Sequence, residues 1–232
     1  MSSQIPAITT YMERGVHLSM KKHFCPNESF HEQRVGKYVA DAFDGSTIFE
    51  IQTGSFSLLR KKIQYYLENT DHQVLVIRPL AKNKRILWLD AETGELAKKP
   101  RLSAKHETLI SALPEIFYLH ELLEHPRLKF CFPLLEISEV RLLDGYGKDK
   151  KKRSTSLDKL ACELYDTPYI CTAEDVERIV RPRLPDSFSN AELSHALRLK
   201  GRKLWAVGKL LTELGIVSSE TKNRRIIFKF NK

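Results

Sequence analysis

Asp41 and Glu50 are acidic residues whose spacing around a short turn could let them share one divalent cation. Between them lies Asp44-Gly45, a dipeptide typical of the two-residue loop of a β-hairpin. With this loop Asp41 faces Ile48, and Glu50 is the diagonal neighbour of Asp41 on the same face of the hairpin. Diagonal neighbours are roughly 7–8 Å apart at the backbone, so two carboxylates can converge. The pattern predicts a pair of acids on one rigid surface.

A rigid pair of carboxylates suits Mg²⁺, which takes oxygen ligands and keeps several waters. Such an ion lowers the pKa of water and stabilises charge that builds up on a phosphate. Gln52 lies on the same face as the acids, because side chains alternate along a strand. The alternative is a hairpin whose acids are merely solvated, which is common in antiparallel sheets. The opposite face carries apolar residues that suit a core: Ala40, Ala42, Phe49 and Ile51.

The elements around the hairpin favour the metal site over the solvated hairpin. Helices are predicted over residues 10–24 and, directly after the hairpin, over 56–68. Residues 73–77 contain V-L-V-I, a continuous apolar run typical of a central strand covered on both faces. A solvated acidic face would not suit a sheet that is covered on both sides. The other expected elements up to residue 143 are strands at 30–35, 37–43, 47–53 and 85–89, a helix at 104–123 interrupted at Pro114, and a strand within 128–143.

The last third of the chain is expected to form a linker and a small helical module. Residues 144–156 (DGYGKDKKKRSTS) are rich in charge, glycine and serine, as in an exposed linker. Helices are predicted at 157–165 and 173–180. The predicted division is a first domain at 1–145, a basic linker and helical connector at 146–183, and a C-terminal domain at 184–232.

The C-terminal domain has an internal order of helix, turn, helix and hairpin. Ser189 and Glu192 form a capping-box pattern before a helix at 191–197. A second helix is expected at 202–214, with Gly215 ending it, and a hairpin follows. This order resembles the winged-helix family, which implies that the second helix enters the major groove and that the hairpin contacts the backbone. The cations then expected to bind DNA are Lys200, Arg202, Lys203, Lys209, Lys222, Arg224 and Arg225. The alternative is a winged helix used for protein contacts or dimerisation.

The charge balance supports a polyanionic partner. The chain carries a net charge of +9, and basic surface attracts nucleic acid first of all. From residue 184 onwards 10 Lys and Arg stand against 4 Asp and Glu, which places +6 of the charge in this segment. The sequence has no apolar run long enough for a membrane span and no secretory signal. We therefore expect a cytoplasmic, nucleoid-associated protein; whether it forms a homodimer is left open.

The N-terminal pattern of helix, hairpin with D-x8-E-x-Q, and helix resembles the PD-(D/E)XK nuclease superfamily. This resemblance implies a restriction-endonuclease-like α/β fold, a mixed sheet flanked by helices. It implies Mg²⁺ or Mn²⁺ held by Asp41 and Glu50, with the Ile51 carbonyl as a further ligand. The chain also looks similar to an uncharacterised bacterial group that joins this fold to a C-terminal winged helix. In the first helix, Glu13 matches the family's additional acid, with His17 one turn later.

Gln52 departs from the family pattern, in which a lysine at this position positions or activates the attacking water. Glutamine has no positive charge and cannot act as a base. Two functions therefore remain: a metal-dependent DNA endonuclease that borrows a cation from the following helix, or a catalytically inactive DNA-binding regulator or accessory subunit. Lys62 is the candidate for the borrowed cation, with Arg60 and Lys61 as alternatives. A third possibility is an interaction protein whose basic surface meets acidic partners.

Overall fold

A six-stranded mixed sheet forms the centre of the N-terminal part of the protein. The computed structural model describes residues 15–145, 154–222 and 225–231. The third, fourth and fifth strands across the sheet run parallel, and the others are antiparallel. The predicted α/β class is confirmed at this level. In order across the sheet the strands are β1 (His31–Val35), β2 (Tyr38–Phe43), β3 (Thr47–Ile51), β4 (Gln73–Ile77), β7 (Leu128–Cys131) and β10 (Tyr169–Ile170).

Two helices cover the central strands. Helix α1 (Val16–Phe24) belongs to a core cluster with Phe49 and Ile51 of β3, and helix α2 (Arg60–Asn69) belongs to a second cluster with Ile48. Strands β3 and β4 are thus buried on both faces, as the V-L-V-I run predicts. The first turn of the predicted first helix, including Glu13, lies outside the described residues.

The hairpin between β2 and β3 has a different register from the predicted one. Ile48 pairs with Phe43 rather than with Asp41, and the loop is Gly45-Ser46. The reason is that the Asp44 carboxylate accepts hydrogen bonds from the N–H groups of Ser46 and Thr47, so that Asp44 closes the turn instead of forming its tip. A shift of two residues by itself leaves every side chain on its face. The predicted apolar face is nevertheless divided, because Ala42, Phe49 and Ile51 belong to the cluster with α1, whereas Ala40 belongs to the cluster with α2.

Replacing Asp44 with alanine should lower the free energy of unfolding by about 1 kcal/mol or less, because this carboxylate is solvent-exposed. Burial opposes its charge, but the hydrogen bonds from Thr47 and Ser46 outweigh burial and lower the pKa of Asp44. A lowered pKa means that this stabilisation is complete above the ordinary aspartate pKa and is lost as the pH falls through the lowered value. Thermal unfolding at neutral and acidic pH checks this. Asp44→Asn, which keeps the acceptor, should remain close to wild type at neutral pH.

A second sheet continues from the first. Pro79 ends β4 and Pro133 follows β7, and beyond each proline a new strand begins, so that the parallel pair β4 and β7 is followed by another parallel pair. The prediction of a helix at 157–165 is wrong, because this segment is part of a long strand that runs antiparallel to the strand at Leu134–Leu143. The strands, in order across the sheet, are β6 (Arg101–Leu102), β5 (Leu80–Asp90), β8 (Leu134–Leu143) and β9 (Thr155–Asp166).

The helix predicted at 104–123 is shorter and changes type. Helix α3 (Leu109–Ile116) includes Pro114, and a 3₁₀ helix, Phe117–Leu122 (the linking helix), follows it directly. Pro114 lies within the helix but does not end it. Helix α4 (Ala173–Val180) agrees with the helix predicted at 173–180.

The C-terminal elements follow the predicted order. The Ser189–Glu192 capping box is present, and Gly215 has a φ of 67° after the second helix. Phe188, Val207 and Phe228 share a hydrophobic cluster with α2 and α3, so that the core is continuous between the two parts. Among the residues that the structure describes, no helix has the length and apolar character needed to cross a bilayer. The elements are β11 (Ser187–Ser189), α5 (Asn190–Leu197), α6 (Gly201–Glu213), β12 (Val217–Lys222) and β13 (Arg225–Phe230), with the sheet order β11-β13-β12.

Candidate active site

Strands β2 and β3 separate at Asp41, and the separation positions its carboxylate. The ladder between them consists of Phe43 with Ile48 and Ala42 with Phe49. Two residues beyond Phe49, the Ile51 N–H donates to Asp41 Oδ2 at 2.6 Å instead of to a backbone carbonyl. Because N–H and C=O groups along a strand point alternately to its two neighbours, and the N–H of the next residue bonds to β4, the Ile51 carbonyl also points towards this separation.

Glu50 lies on the α2 side of the same strand and holds a lysine. Its side chain is only 2% exposed. Lys62 Nζ is 2.6 Å from Glu50 Oε1 and 2.7 Å from Oε2, which is a two-pronged contact. The Tyr66 hydroxyl, one turn further along α2, donates to Oε1 at 3.2 Å. Asp41 lies just beyond the paired residues of the hairpin, and the charges of Asp41, Glu50 and Lys62 are close enough to influence one another.

The two carboxylates differ in their electrostatic environment. Burial raises the pKa of Glu50 to about 7, and the charge of Asp41 adds to this, while Lys62 opposes it. Burial also acts on Asp41, but there the hydrogen bonds from His17 and from the Ile51 N–H outweigh it and lower its pKa. The pKa of Asp41 is therefore below its ordinary value, and that of Glu50 is above it. A pair of acids with separated pKa values is a recurring feature of catalytic sites.

The other residues predicted for this site have distinct placements. His17 Nε2 is 3.4 Å from Asp41 Oδ2, and the imidazole is 42% exposed. Gln52 Oε1 accepts from the Gly54 N–H at 2.9 Å, which directs this amide oxygen to the following loop. The structure brings together Asp41, Glu50, Lys62, His17 and the Ile51 backbone; Gln52 is adjacent in the chain but bound elsewhere.

The oxygen atoms of Asp41, Glu50 and the Ile51 carbonyl are the candidate ligands for Mg²⁺ in this site. Among the described residues no group of three or more His, Cys, Asp or Glu side chains is arranged to hold a metal. Mg²⁺ is commonly bound through one or two carboxylates and retains several waters. Asp41 and the Ile51 carbonyl offer oxygens of this kind, and Glu50 could offer a further one if the metal displaced the Lys62 ammonium from its carboxylate.

The predicted DNA-binding cations that the structure describes are all exposed. Lys222 and Arg225 are directly paired across the β12–β13 hairpin. Like charges in this position repel each other, and an anion between them would relieve the repulsion. Arg224 lies outside the described residues. Within the described ranges no ion pair with an acidic side chain is seen for the exposed set, which comprises Lys200, Arg202, Lys203, Lys209, Lys222 and Arg225.

The linking helix Phe117–Leu122 joins α6 to the carboxylate site. Its Phe117 packs edge-to-face against Trp205 of α6, with ring centroids 5.3 Å apart. Its Glu121 forms an ion pair with Arg60 at the start of α2. The linking helix therefore contacts both α6 and α2, the helix that carries Lys62.

Tyr66 is the site residue that sequence reasoning missed. It resembles a core aromatic because it is apolar over most of its surface and fully buried. The available signal was its spacing from Lys62, since residues four apart lie on one face of a helix. A lysine and a tyrosine at this spacing, on a helix that covers an acidic strand, can both reach the same carboxylate.

Comparison with known proteins identifies relatives but does not assign an activity. The profile of a family described as a domain of unknown function (DUF8091) matches residues 14–171. An uncharacterised protein of Treponema pallidum (strain Nichols) is 26% identical over 189 residues, which cover 81% of this chain and 73% of the relative. No solved structure shows significant similarity to the chain. The matched span includes α1, the hairpin, α2 and both sheets up to β10.

Proposed function

Starting from the fact that the chain belongs to the DUF8091 family, we propose that the protein is a Mg²⁺-dependent nuclease that hydrolyses phosphodiester bonds in DNA. The observation that carries the proposal is that Asp41, where β2 and β3 separate, lies within electrostatic reach of the Glu50–Lys62 pair. Two acids and a lysine are the groups used in PD-(D/E)XK nucleases, here with the lysine supplied by α2. The proposal includes a restriction-endonuclease-like core and a winged helix formed by β11, α5, α6, β12 and β13.

Each residue of the site has a separate task in this proposal. Asp41, Glu50 and the Ile51 carbonyl would hold Mg²⁺ or Mn²⁺, which supplies Lewis-acid chemistry by lowering the pKa of water and neutralising charge on a phosphate. Lys62 provides a cation beside the reacting phosphate, the task for which Gln52 is unsuited. His17 positions the Asp41 carboxylate, and Tyr66 positions that of Glu50.

The basic C-terminal surface supports DNA as the substrate. The exposed cations of α6 and of the β12–β13 hairpin would neutralise backbone phosphates, which positions a duplex without reading its sequence. Because the linking helix contacts both α6 and α2, a duplex held on α6 would extend towards the carboxylates.

A cleavage assay tests the proposal. The full chain is incubated with supercoiled plasmid and with short duplexes, in Mg²⁺, in Mn²⁺ or in EDTA, beside Asp41→Ala. We expect cleavage by the wild-type protein with either metal and none in EDTA or with the variant. Intact DNA under every condition, together with stable binding, would favour a second function.

That second function is a DNA-binding regulator or accessory subunit without catalysis. The observation in its favour is that the Lys62 ammonium occupies both oxygens of Glu50, so that the carboxylate is already neutralised within the protein. In a regulator this contact would be purely structural, and divalent metal would change neither DNA binding nor stability.

The salt dependence of DNA binding should decrease when α6 loses its exposed cations. Arg202→Ala/Lys209→Ala should reduce the slope of log K against log salt by roughly 2, because each lost phosphate contact removes about 0.9. Fluorescence anisotropy with a labelled duplex in EDTA measures this slope. The control is Lys98→Ala/Lys99→Ala, which removes the same charge from the exposed β5–β6 connection. An equal decrease in the control would refute a specific role for α6.

A further inference from the structure

A cavity of about 190 Å³ is bordered by chain segments that flank the carboxylate site, and four of its ten lining residues are cations. Its wall includes Thr53, which directly follows Gln52, and Val16, which precedes His17. The basic side chains come from different elements and from the loop before α3: Arg78, Lys84, Lys105 and Lys159. This space, called the basic cavity below, has room for several waters or for one small anion with part of its hydration shell.

The charges of the basic cavity are only partly neutralised. Glu107 is the acid in its lining, and its Oε2 accepts a hydrogen bond from the Ala81 N–H. Lys84 is 2.7 Å from the buried Glu139, which also pairs with Arg141. For Lys105 and Lys159, which are exposed, no acidic side chain within the described residues forms an ion pair.

Arg78 is the cation of the lining whose position is fixed by contacts within the protein. Its guanidinium stacks over the Phe56 ring at 5.8 Å and donates to the Gly54 carbonyl through Nη1. Its Nε is buried, and no hydrogen-bond partner for it is found in the described part of the chain. The guanidinium presents its donors in a fixed planar fork, and those not bound to Gly54 could donate to a tetrahedral oxyanion in the cavity.

We propose that the basic cavity is a phosphate-binding site, separate from the carboxylates. Cations from several elements surround one small space, and phosphate offers the charge and the acceptor oxygens that they require. The phosphate can be the terminal group of a DNA strand or free inorganic phosphate. Only the assignment to DNA rests on the proposed nuclease function; binding of the anion does not.

The test uses the full chain in EDTA, so that cleavage plays no part. Isothermal titration with sodium phosphate, at constant ionic strength against chloride, measures the free anion. Anisotropy with a duplex carrying either a 5′-phosphate or a 5′-hydroxyl measures the DNA end. The variant is Lys105→Ala/Lys159→Ala, which removes two exposed lysines and leaves the Lys84–Glu139 pair intact. Lys98→Ala/Lys99→Ala is the charge-matched control.

We expect phosphate to bind, and the variant to weaken its affinity about tenfold or more, as for loss of a charge-assisted hydrogen bond, while the control remains unchanged. If the variant also abolishes a preference for the 5′-phosphorylated duplex, the ligand is a DNA end; if both duplexes bind equally to every protein, it is free phosphate. The proposed phosphate site would be refuted if phosphate did not bind, or if the control variant lost as much phosphate affinity as Lys105→Ala/Lys159→Ala. Asp41→Asn should bind phosphate normally, which separates this result from failure of the nuclease proposal.

Discussion

Asp41→Asn should reduce Mg²⁺-dependent DNA cleavage by at least about 10²-fold, the scale on which even outer-shell partners of metal ligands act. Asparagine keeps an oxygen that can accept from the Ile51 N–H, so the separation of β2 and β3 is retained. It loses the negative charge that a hard cation requires. The expected result is therefore a folded protein with a defective metal site.

Three measurements distinguish this result from simple unfolding. Initial rates on a fluorogenic duplex give the loss of cleavage, titration with Mn²⁺ gives the loss of metal affinity, and thermal unfolding gives a change of stability within about 1 kcal/mol. Asp71→Asn is the matched control, since Asp71 is exposed and the substitution removes the same charge. Undiminished cleavage by Asp41→Asn would contradict the assignment of Asp41 as a metal ligand.

That the hairpin would bring two acids near each other could be predicted from the sequence, but neither its register nor the side to which each acid turns. The predicted loop began at Asp44, because Asp-Gly is a strong turn signal. That signal does not include the side chain of Asp44, which bonds to Ser46 and Thr47 and moves the loop by one position. The contacts of the two acids lie on different sides of the sheet: Asp41 contacts His17 of α1, whereas Glu50 contacts Lys62 of α2.

Strand β9 shows why the connector could not be predicted. Its apolar residues Leu157, Leu160, Ala161 and Leu164 follow helical spacing. Its pairing with β8 is interrupted by three register shifts, so the alternation of a regular strand is absent from its sequence. Long-range pairing determines this segment, and local periodicity contains no information about it.

The position of Lys62 could be predicted only as one of three cations on the helix after the hairpin. Arg60 and Lys61 are its neighbours, and composition does not distinguish among them. The distinction arises from the way α2 packs: Ile63 and Tyr66 are turned to the core, which brings Lys62 to the strand and leaves Lys61 exposed. Arg60 pairs with Glu121 of the linking helix instead.

Lys62→Gln should reduce cleavage by roughly 10²–10³-fold, the usual cost of removing one group that stabilises charge in the transition state. The same change should increase the affinity for Mn²⁺, because the ammonium no longer competes for the two oxygens of Glu50. These opposite effects are informative, since a general loss of structure would weaken both DNA cleavage and Mn²⁺ binding. Lys61→Gln, next to it on the same helix and exposed, is the control and should change neither.

Moving the lysine back to the position usual in the nuclease superfamily gives the sharpest test of its role. In Gln52→Lys/Lys62→Gln the charge is kept, and the new side chain begins two residues after Glu50 on the same strand face. The exchange gives up the hydrogen bond from the Gly54 N–H to Gln52 Oε1, at a cost of about 1 kcal/mol in stability. We expect cleavage to recover well above that of Lys62→Gln, although it stays below that of the wild type.

Recovery in the double variant would mean that the reaction requires a cation near Glu50, whichever element supplies it. A purely structural Lys62 would give a different pattern. The double variant would then be no more active than Lys62→Gln, because residue 52 cannot replace the contact between α2 and β3. Stability would instead return in Lys62→Gln when Glu50 is also replaced by glutamine, since that change removes the buried charge that Lys62 neutralises. Cleavage rates and unfolding temperatures of these variants together decide whether α2 provides a catalytic cation or only a buried ion pair.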